Sequence, residues 1–197
     1  MAEYSFSQGI TATLDAHVGY FGYPSIKLML IYPKLEKLKL QTYAVRTVKD
    51  TKDVLKHSEL ASKFNNEYFK ITGVKVFIDG VVEVNTAWLL DEYSNQSKYF
   101  GVNSFDNHDK LVKFVKLANE HDMNVHCHTI CDGAVKFVLD ALCEVQIATG
   151  NMNQRNAFAP LQIVRPKDIK RIADYNIIAV VTTLWTPKEK KPNINWN

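Results

Sequence analysis

The sequence has no long apolar run and no large excess of either charge. No stretch approaches the roughly 18 apolar residues that a membrane-spanning helix requires. The first residues, MAEYSFSQGIT, lack the basic segment and apolar run of a signal peptide. The formal net charge is only +3, and the lysines are scattered instead of forming a basic stripe. We therefore expect no membrane span and no nucleic-acid partner.

Cysteine is scarce, and phosphate-binding glycine motifs are absent. The three cysteines, Cys127, Cys131 and Cys143, are odd in number and close together in the chain. This pattern favours a reduced, cytoplasmic protein over a disulfide framework, with Cys127 and Cys143 serving as small apolar core residues. Neither GxGxxG nor GxxxxGK[ST] occurs, which weakens any nucleotide-binding interpretation.

The sequence instead alternates short β-rich runs with amphipathic stretches. Its 197 residues, 46% of them hydrophobic, suit one domain or a large piece of a bigger one. Repeated strand-then-helix units are typical of parallel sheets, as in a (β/α)₈ barrel or a doubly wound sheet. The predicted strands cover 9–16, 41–48, 73–80, 123–130, 155–163 and 176–185. The predicted helices cover 25–40, 50–69, 107–122, 133–150 and 165–176.

Polar residues gather where two of the predicted strands end. In NVHCHTICDGAV (124–135), His126 and His128 are two residues apart and so share one face of a strand, as in one wall of a metal site. Asp132 follows this strand, and Asp79 ends another. Since βα loops carry the chemistry of barrel enzymes, this placement suits a functional site. For Asp132 the alternative is a carboxylate that caps the following helix.

Four segments, taken in order, resemble amidohydrolase family 3, a group that includes N-substituted formamide deformylases and exoenzyme regulatory proteins. They are GITATLDA, VKVFIDG…TAWLLDEYS, VHCHTICDGAV and PKDIKRIADYNIIAVVTTLW, and they span roughly residues 6–187. The resemblance implies a metal-dependent (β/α)₈ barrel with a small β-sandwich beside it. It also implies hydrolysis of non-peptide, amide-like C–N bonds with one or two divalent metals, usually zinc.

The resemblance also assigns metal-binding roles to particular residues. VHCHTICDGAV lies on the family pattern HxHxxGDxA, which gives His128 the position of a metal-binding histidine and makes His126 its neighbour. VKVFIDG lies on the strand whose lysine can be carbamylated to bridge two metals, so Lys75 is the candidate bridge. The alternative for Lys75 is a lysine paired with a carboxylate inside the barrel. Cys131 replaces a family glycine, which raises a question about the backbone conformation of that loop.

Two carboxylates are candidates for acid–base chemistry. Asp132 or Asp79 could act as the general base in a site with a single metal. The substrate implied by the family is a small-molecule amide.

The sequence also departs from the family pattern. The aligned stretch RNAFAP places Ala159 and Pro160 where the family has a glutamate and a metal-binding histidine. The first-strand HxH pair is absent, and His17 in DAHVG is interpreted as a loop-end histidine. The final-strand aspartate is expected beyond residue 187. We therefore expect a partial barrel of five to six βα units over residues 1–187, without the first and last strands and the β-sandwich, followed by a polar tail over 188–197.

Three hypotheses remain open. The first is an amidohydrolase-derived domain with an incomplete site for zinc or another divalent metal and little activity alone. The second is an active hydrolase completed by a partner chain or by self-association, which would also cover exposed sheet edges. The third is a non-catalytic binding or regulatory module, in which aromatic residues of WLLDEY and HVGYFGY line a groove.

Overall fold

The computed structural model describes residues 2–18, 40–48, 50–105 and 107–182. Its strands form one six-stranded sheet whose spatial order, β1 to β6, equals the order along the chain. The strands are β1 (Ala12–Val18), β2 (Gln41–Thr47), β3 (Phe69–Phe77), β4 (Asn124–His128), β5 (Ala157–Phe158) and β6 (Ile178–Ala179). The helices are α1 (Ala2–Ser7), α2 (Thr51–Phe64), α3 (His108–Glu120), α4 (Asp132–Thr149) and α5 (Pro166–Asp174), with a 3₁₀ turn at Val82–Val84.

Some sequence-based predictions fall outside this part of the chain. The predicted helix over 25–40, most of HVGYFGY and the boundary between the domain and the tail at residue 187 lie outside the described residues. Within them, no helix combines the length and the apolarity needed to cross a bilayer.

One compact unit comprises residues 1–75 and 117–124. In it, β1 pairs with β2 and β2 with β3, both in parallel register. Helix α2 begins after Asp50, whose carboxylate accepts hydrogen bonds from the backbone N–H groups of Lys52 and Asp53. Its buried residues, Val54, His57 and Ala61, recur at helical spacing and form the face turned away from solvent.

The connection from α2 to β3 corrects two predicted boundaries. The helix ends at Phe64 and the strand begins at Phe69, where the sequence predicted a helix to residue 69 and a strand from 73. Two asparagine side chains explain the difference. Asn66 accepts hydrogen bonds from the N–H groups of Tyr68 and Phe69, and Asn65 accepts one from Ile71. These side chains compete with the helical backbone pattern and direct the chain into the strand.

The second unit comprises residues 76–116 and 125–197. In it, β4 pairs with β5 and β5 with β6, again in parallel. Helix α4 ends at Thr149 and is followed by Gly150, whose φ of 67° is the left-handed conformation expected of a glycine at a helix C-terminus. Helix α5 begins with Pro166 at its first position, where a missing N–H costs no hydrogen bond.

The long connection after β3 has a small apolar core of its own. The buried residues that form it are Val82, Ala87, Leu89, Tyr93, Ile130 and Cys131. The Tyr93 hydroxyl donates a 2.7 Å hydrogen bond to the Ala87 carbonyl, so this aromatic residue of WLLDEY packs inside the protein. Trp88 is half-buried and packs against Phe137 of α4, with 5.5 Å between ring centroids.

Candidate functional site

The candidate residues of the second unit lie at or just after the carboxyl ends of its strands. His126 pairs in register with Ala157, and Cys127 pairs with Phe158. His126 is buried and His128 half-buried. Because parallel strands end at the same edge of a sheet, the connections after β3, β4 and β5 meet there, at the usual position of ligand sites in such folds.

His128 is held by the connection that follows β3. Its Nε2 lies 3.2 Å from the carbonyl oxygen of Gly80, and its ring packs against Phe77 with 4.9 Å between centroids. A carbonyl oxygen only accepts, so Nε2 carries the hydrogen in this contact. The His128 carbonyl in turn accepts a 3.2 Å hydrogen bond from the N–H of Ile78.

The carboxylate of Asp79 accepts hydrogen bonds from three backbone N–H groups. Ile130 donates at 2.9 Å to Oδ1, and Cys131 and Trp88 each donate at 3.1 Å to Oδ2. Asp79 is only 3% exposed, and this burial raises its pKa to about 7, against the opposing effect of backbone N–H groups, its own included. Its predicted role as general base stays a prediction.

Asp132 connects two segments that are distant in sequence. Its Oδ1 accepts a 3.1 Å hydrogen bond from the N–H of Leu90, and its Oδ2 accepts one of 2.7 Å from Nε of Arg165. Arg165 also bridges to Asp91 through Nη2 at 2.6 Å. These contacts raise the pKa of the Arg165 guanidinium, chiefly through the hydrogen bond to Asp132.

The alternative that Asp132 caps the following helix is wrong. Cys131 is the N-cap residue of α4, its side chain makes no capping hydrogen bond, and Asp132 is the first helical residue. The early N–H groups of the helix, those of Gly133 and Ala134, donate to the carbonyl oxygen of Trp88 at 3.0 and 3.4 Å. The Asp132 carboxylate is therefore available for Leu90 and Arg165.

Cys131 fits where the family pattern has glycine. Its φ of −116° and ψ of 167° are extended values that any residue adopts. Its side chain is fully buried in the small core described above. The replacement therefore imposes no strained backbone conformation.

Lys75 and His17 belong to the first unit. Lys75 is 5% exposed and lies opposite Thr47 in the β2–β3 pairing. Nδ1 of His17 lies 3.1 Å from the Thr47 hydroxyl oxygen. Burial lowers the pKa of His17, and the charge of Lys75 lowers it further. His17 lies within β1, which corrects its interpretation as a loop-end residue; the predicted strand ended at residue 16.

The segment RNAFAP supplies no metal-binding side chain at its family positions. Ala159 is buried, and its N–H donates a 2.9 Å hydrogen bond to the carbonyl of Cys127, so this stretch continues the sheet pairing. Pro160 follows and has neither a ligand side chain nor an N–H.

Zinc sites in proteins are built from His, Cys, Asp and Glu side chains. Among the described residues, no group of three or more His, Cys, Asp or Glu side chains is arranged to hold a metal ion. All six histidines and all three cysteines of the sequence fall within that part of the chain. A zinc site needs three or four protein ligands, and the two imidazoles of His126 and His128 fall short of that number.

Two solved structures share this fold. An uncharacterized metal-dependent hydrolase from Pyrococcus furiosus superimposes with a TM-score of 0.70 at 26% identity, over 89% of this chain and 35% of that one. A second, from Pyrococcus horikoshii OT3, gives a TM-score of 0.69 at 22% identity, over 89% of this chain and 34% of that one. The predicted partial (β/α)₈ barrel of the metal-dependent hydrolase type is thereby confirmed.

A curated relative extends the comparison to plants. Protein LONG AFTER FAR-RED 3 of Arabidopsis thaliana is 30% identical over 116 residues, which are 59% of this chain and 20% of that protein. The chain thus spans about a third of the solved hydrolases, and its match covers a fifth of the plant protein. The model of the amidohydrolase family matches residues 3–194. This 197-residue chain therefore belongs to the amidohydrolase family.

Proposed function

We propose that this chain is an amidohydrolase barrel segment that does not hydrolyse amides by itself. The reaction we assign to the complete site is metal-dependent hydrolysis of a non-peptide C–N bond in a small-molecule amide. The observation that carries the proposal is the donor set. His126 and His128 share a strand face, while Ala159 and Pro160 occupy the positions of a family glutamate and a further metal-binding histidine.

His128 and His126 are the donors that we propose this chain contributes to a site for zinc or another divalent metal. Nε2 of His128 already donates to the Gly80 carbonyl, so binding a metal through Nε2 would require that hydrogen bond to break. The role of Lys75 as a carbamylated bridge stays a prediction from the sequence.

The second candidate function is an active hydrolase completed by further polypeptide, either a partner chain or another copy of this one. The observation that favours it is the length of the solved hydrolases, of which this chain covers only 34–35%. Additional strands from a partner could supply ligands and pair with the outer strands of the sheet.

We also propose a reducing, cytoplasmic location. The three cysteines are buried free thiols, and each is described by the structure. Buried thiols outside disulfides are typical of proteins from reducing compartments.

Metal content and hydrolysis, measured on the same preparation, test these proposals. The chain is purified without chelator, its zinc content is determined by mass spectrometry, and hydrolysis of N-formyl and N-acetyl amines is assayed with added zinc. The variant is His128→Ala, and the control is His121→Ala, which removes an exposed histidine outside the candidate site.

We expect less than about half an equivalent of zinc and no metal-dependent hydrolysis. One equivalent of zinc that His128→Ala removes and His121→Ala retains, together with chelator-sensitive hydrolysis, would overturn the first proposal. Light scattering of the same sample then separates an active monomer from an active oligomer, and only the oligomer supports completion by another copy.

A further inference from the structure

Three successive connections are tied together at the carboxyl edge of β3, β4 and β5. We propose that Asp79, Asp132 and Arg165 form a loop clamp that fixes residues 86–91 as a rigid wall on the first turn of α4. In this proposal Asp79 and Asp132 are positioning residues, in place of the general-base role predicted from the sequence. The inference goes beyond the proposed function, because it concerns backbone N–H groups of the protein and holds whether or not an amide is hydrolysed.

The inner part of the clamp is Asp79. Its two oxygens accept hydrogen bonds from two separate segments. Trp88 donates from the 86–91 segment, and Ile130 and Cys131 donate from the turn between β4 and α4. Oδ2 also accepts from Ile130 at 3.2 Å. A carboxylate that accepts from three N–H groups in two different segments fixes both segments at once.

The middle part is the pair of Asp132 and Arg165. Asp132 holds the N–H of Leu90 through one oxygen and the Arg165 guanidinium through the other, and these partners lie 42 and 33 residues away in sequence. The Asp132 side chain is 8% exposed and the Arg165 side chain 35%, so solvent screens this pair only from the side of the guanidinium.

The outer part, from Arg165 to Asp91, is weaker. The Asp91 side chain is 74% exposed, and ion pairs in such surroundings contribute little. Loss of Asp91 should therefore matter less than loss of Asp132, although both carboxylates bind the same guanidinium.

The backbone of the held segment lies directly against the helix. Gly133 and Ala134 of α4 donate to the Trp88 carbonyl, and a Cβ atom on Gly133 would lie 2.8 Å from that oxygen. The first turn of α4 thus obtains its capping acceptor from the clamped segment, which makes the wall and the helix start one structural unit.

Hydrogen–deuterium exchange of the full chain, resolved over residues 86–91, tests the clamp. The variants are Asp132→Ala and Arg165→Gln. The control is Lys170→Gln on α5, which removes an exposed ion pair to Asp174 four residues away and leaves the clamp intact. We expect exchange at Leu90 to accelerate about tenfold in both variants, the effect of losing one charge-assisted hydrogen bond, and to stay unchanged in the control.

A conservative variant separates the clamp from general destabilisation. Asp132→Asn keeps an oxygen that can accept from Leu90, so protection of that N–H should be partly restored relative to Asp132→Ala. Exchange within α3 reports global unfolding and should not change. If Leu90 exchanges within about twofold of the wild-type rate in Arg165→Gln and in Asp132→Ala, the clamp is refuted. If Asp132→Ala also accelerates exchange within α3, that variant is globally destabilised. The exchange rate of Leu90 in Arg165→Gln, which replaces a half-exposed side chain, then decides whether the clamp is present.

Discussion

His57 lies on the buried face of α2, only 2% exposed, and Nη1 of Arg46 approaches its Nδ1 at 3.4 Å. A guanidinium only donates, so Nδ1 accepts in this contact and the ring is neutral. Burial is the main cause that lowers the pKa of His57 from 6.5 to about 4, and the positive charge of Arg46 lowers it further. The negative charge of Asp53 acts in the opposite direction and raises this pKa. Replacing His57 with glutamine removes this titration and keeps an oxygen that can accept from Arg46.

The sign of the effect follows from proton binding. Between pH 6.5 and about 4 the unfolded chain protonates His57 while the folded chain does not, so protons favour the unfolded state. The stability that neutral His57 provides is complete above pH 6.5 and is lost as the pH falls towards the folded pKa. The loss is roughly 2 kcal/mol between pH 7 and pH 5, and approaches about 3 kcal/mol at pH 4.

The assay is urea unfolding followed by far-ultraviolet circular dichroism, across about pH 4 to pH 7. Lowering the pH from 7 to 5 should change the free energy of unfolding of His57→Gln less unfavourably than that of the wild type, by roughly 2 kcal/mol. The matched control, His121→Gln, alters an exposed histidine and should reproduce the wild-type slope. Parallel curves for His57→Gln and the wild type would show that His57 binds protons equally in the folded and unfolded states, and would refute a ring kept neutral by burial.

Three further changes test other parts of the structure. Asp79→Asn should make stability rise more steeply with pH between 4 and 7. Burial raises the pKa of this carboxyl from 3.8 to about 7, so between these pH values the folded chain binds a proton that the unfolded chain does not. This effect on stability is opposite in sign to that of His57 and amounts to roughly 4 kcal/mol. An unchanged dependence of the unfolding free energy on pH in the same urea assay would contradict it. Gly133→Ala should lower the stability by about 1–3 kcal/mol, because its Cβ would lie 2.8 Å from the Trp88 carbonyl; an unchanged melting temperature would mean that the wall can move. Phe158→Ala should cost about 3–5 kcal/mol in urea unfolding, since the ring is fully buried in β5; a loss below about 1 kcal/mol would place it outside the core.

Local sequence patterns predict the alternation of strands and helices in this chain. Strand β4 and helix α3 lie within one or two residues of the predicted bounds, because their apolar residues repeat at the periods of a strand and a helix. The end of α4 before Gly150 also follows from a local signal. Helix α1 was not predicted, since AEYSFS is too short to show a helical period.

The site depends on pairings that no local pattern contains. Asp132 directly precedes an amphipathic helix and looks like its cap. Its carboxylate instead meets Leu90 and Arg165, which only the folded sheet brings near. The pairing of His17 with Thr47 is similar, because it depends on the register between β1 and β2 and on β1 reaching Val18. The sequence contains one local indication of this packing, the Asp132–Gly133 pair of CDGAV. A glycine at the second position of α4 leaves room for another backbone to lie against the helix.

The barrel frame and the metal centre of this family place different demands on a sequence. The frame residues are present: the parallel strands pair in chain order, and carboxylates tie their connections together at one edge. Such a frame gains its stability from burial and backbone hydrogen bonds, and neither requires a metal. A chain could therefore keep the fold after losing ligands such as the histidine position now held by Pro160. In that situation, substitutions in the clamp should affect stability, whereas His126→Ala and His128→Ala should leave the response of stability to added zinc unchanged.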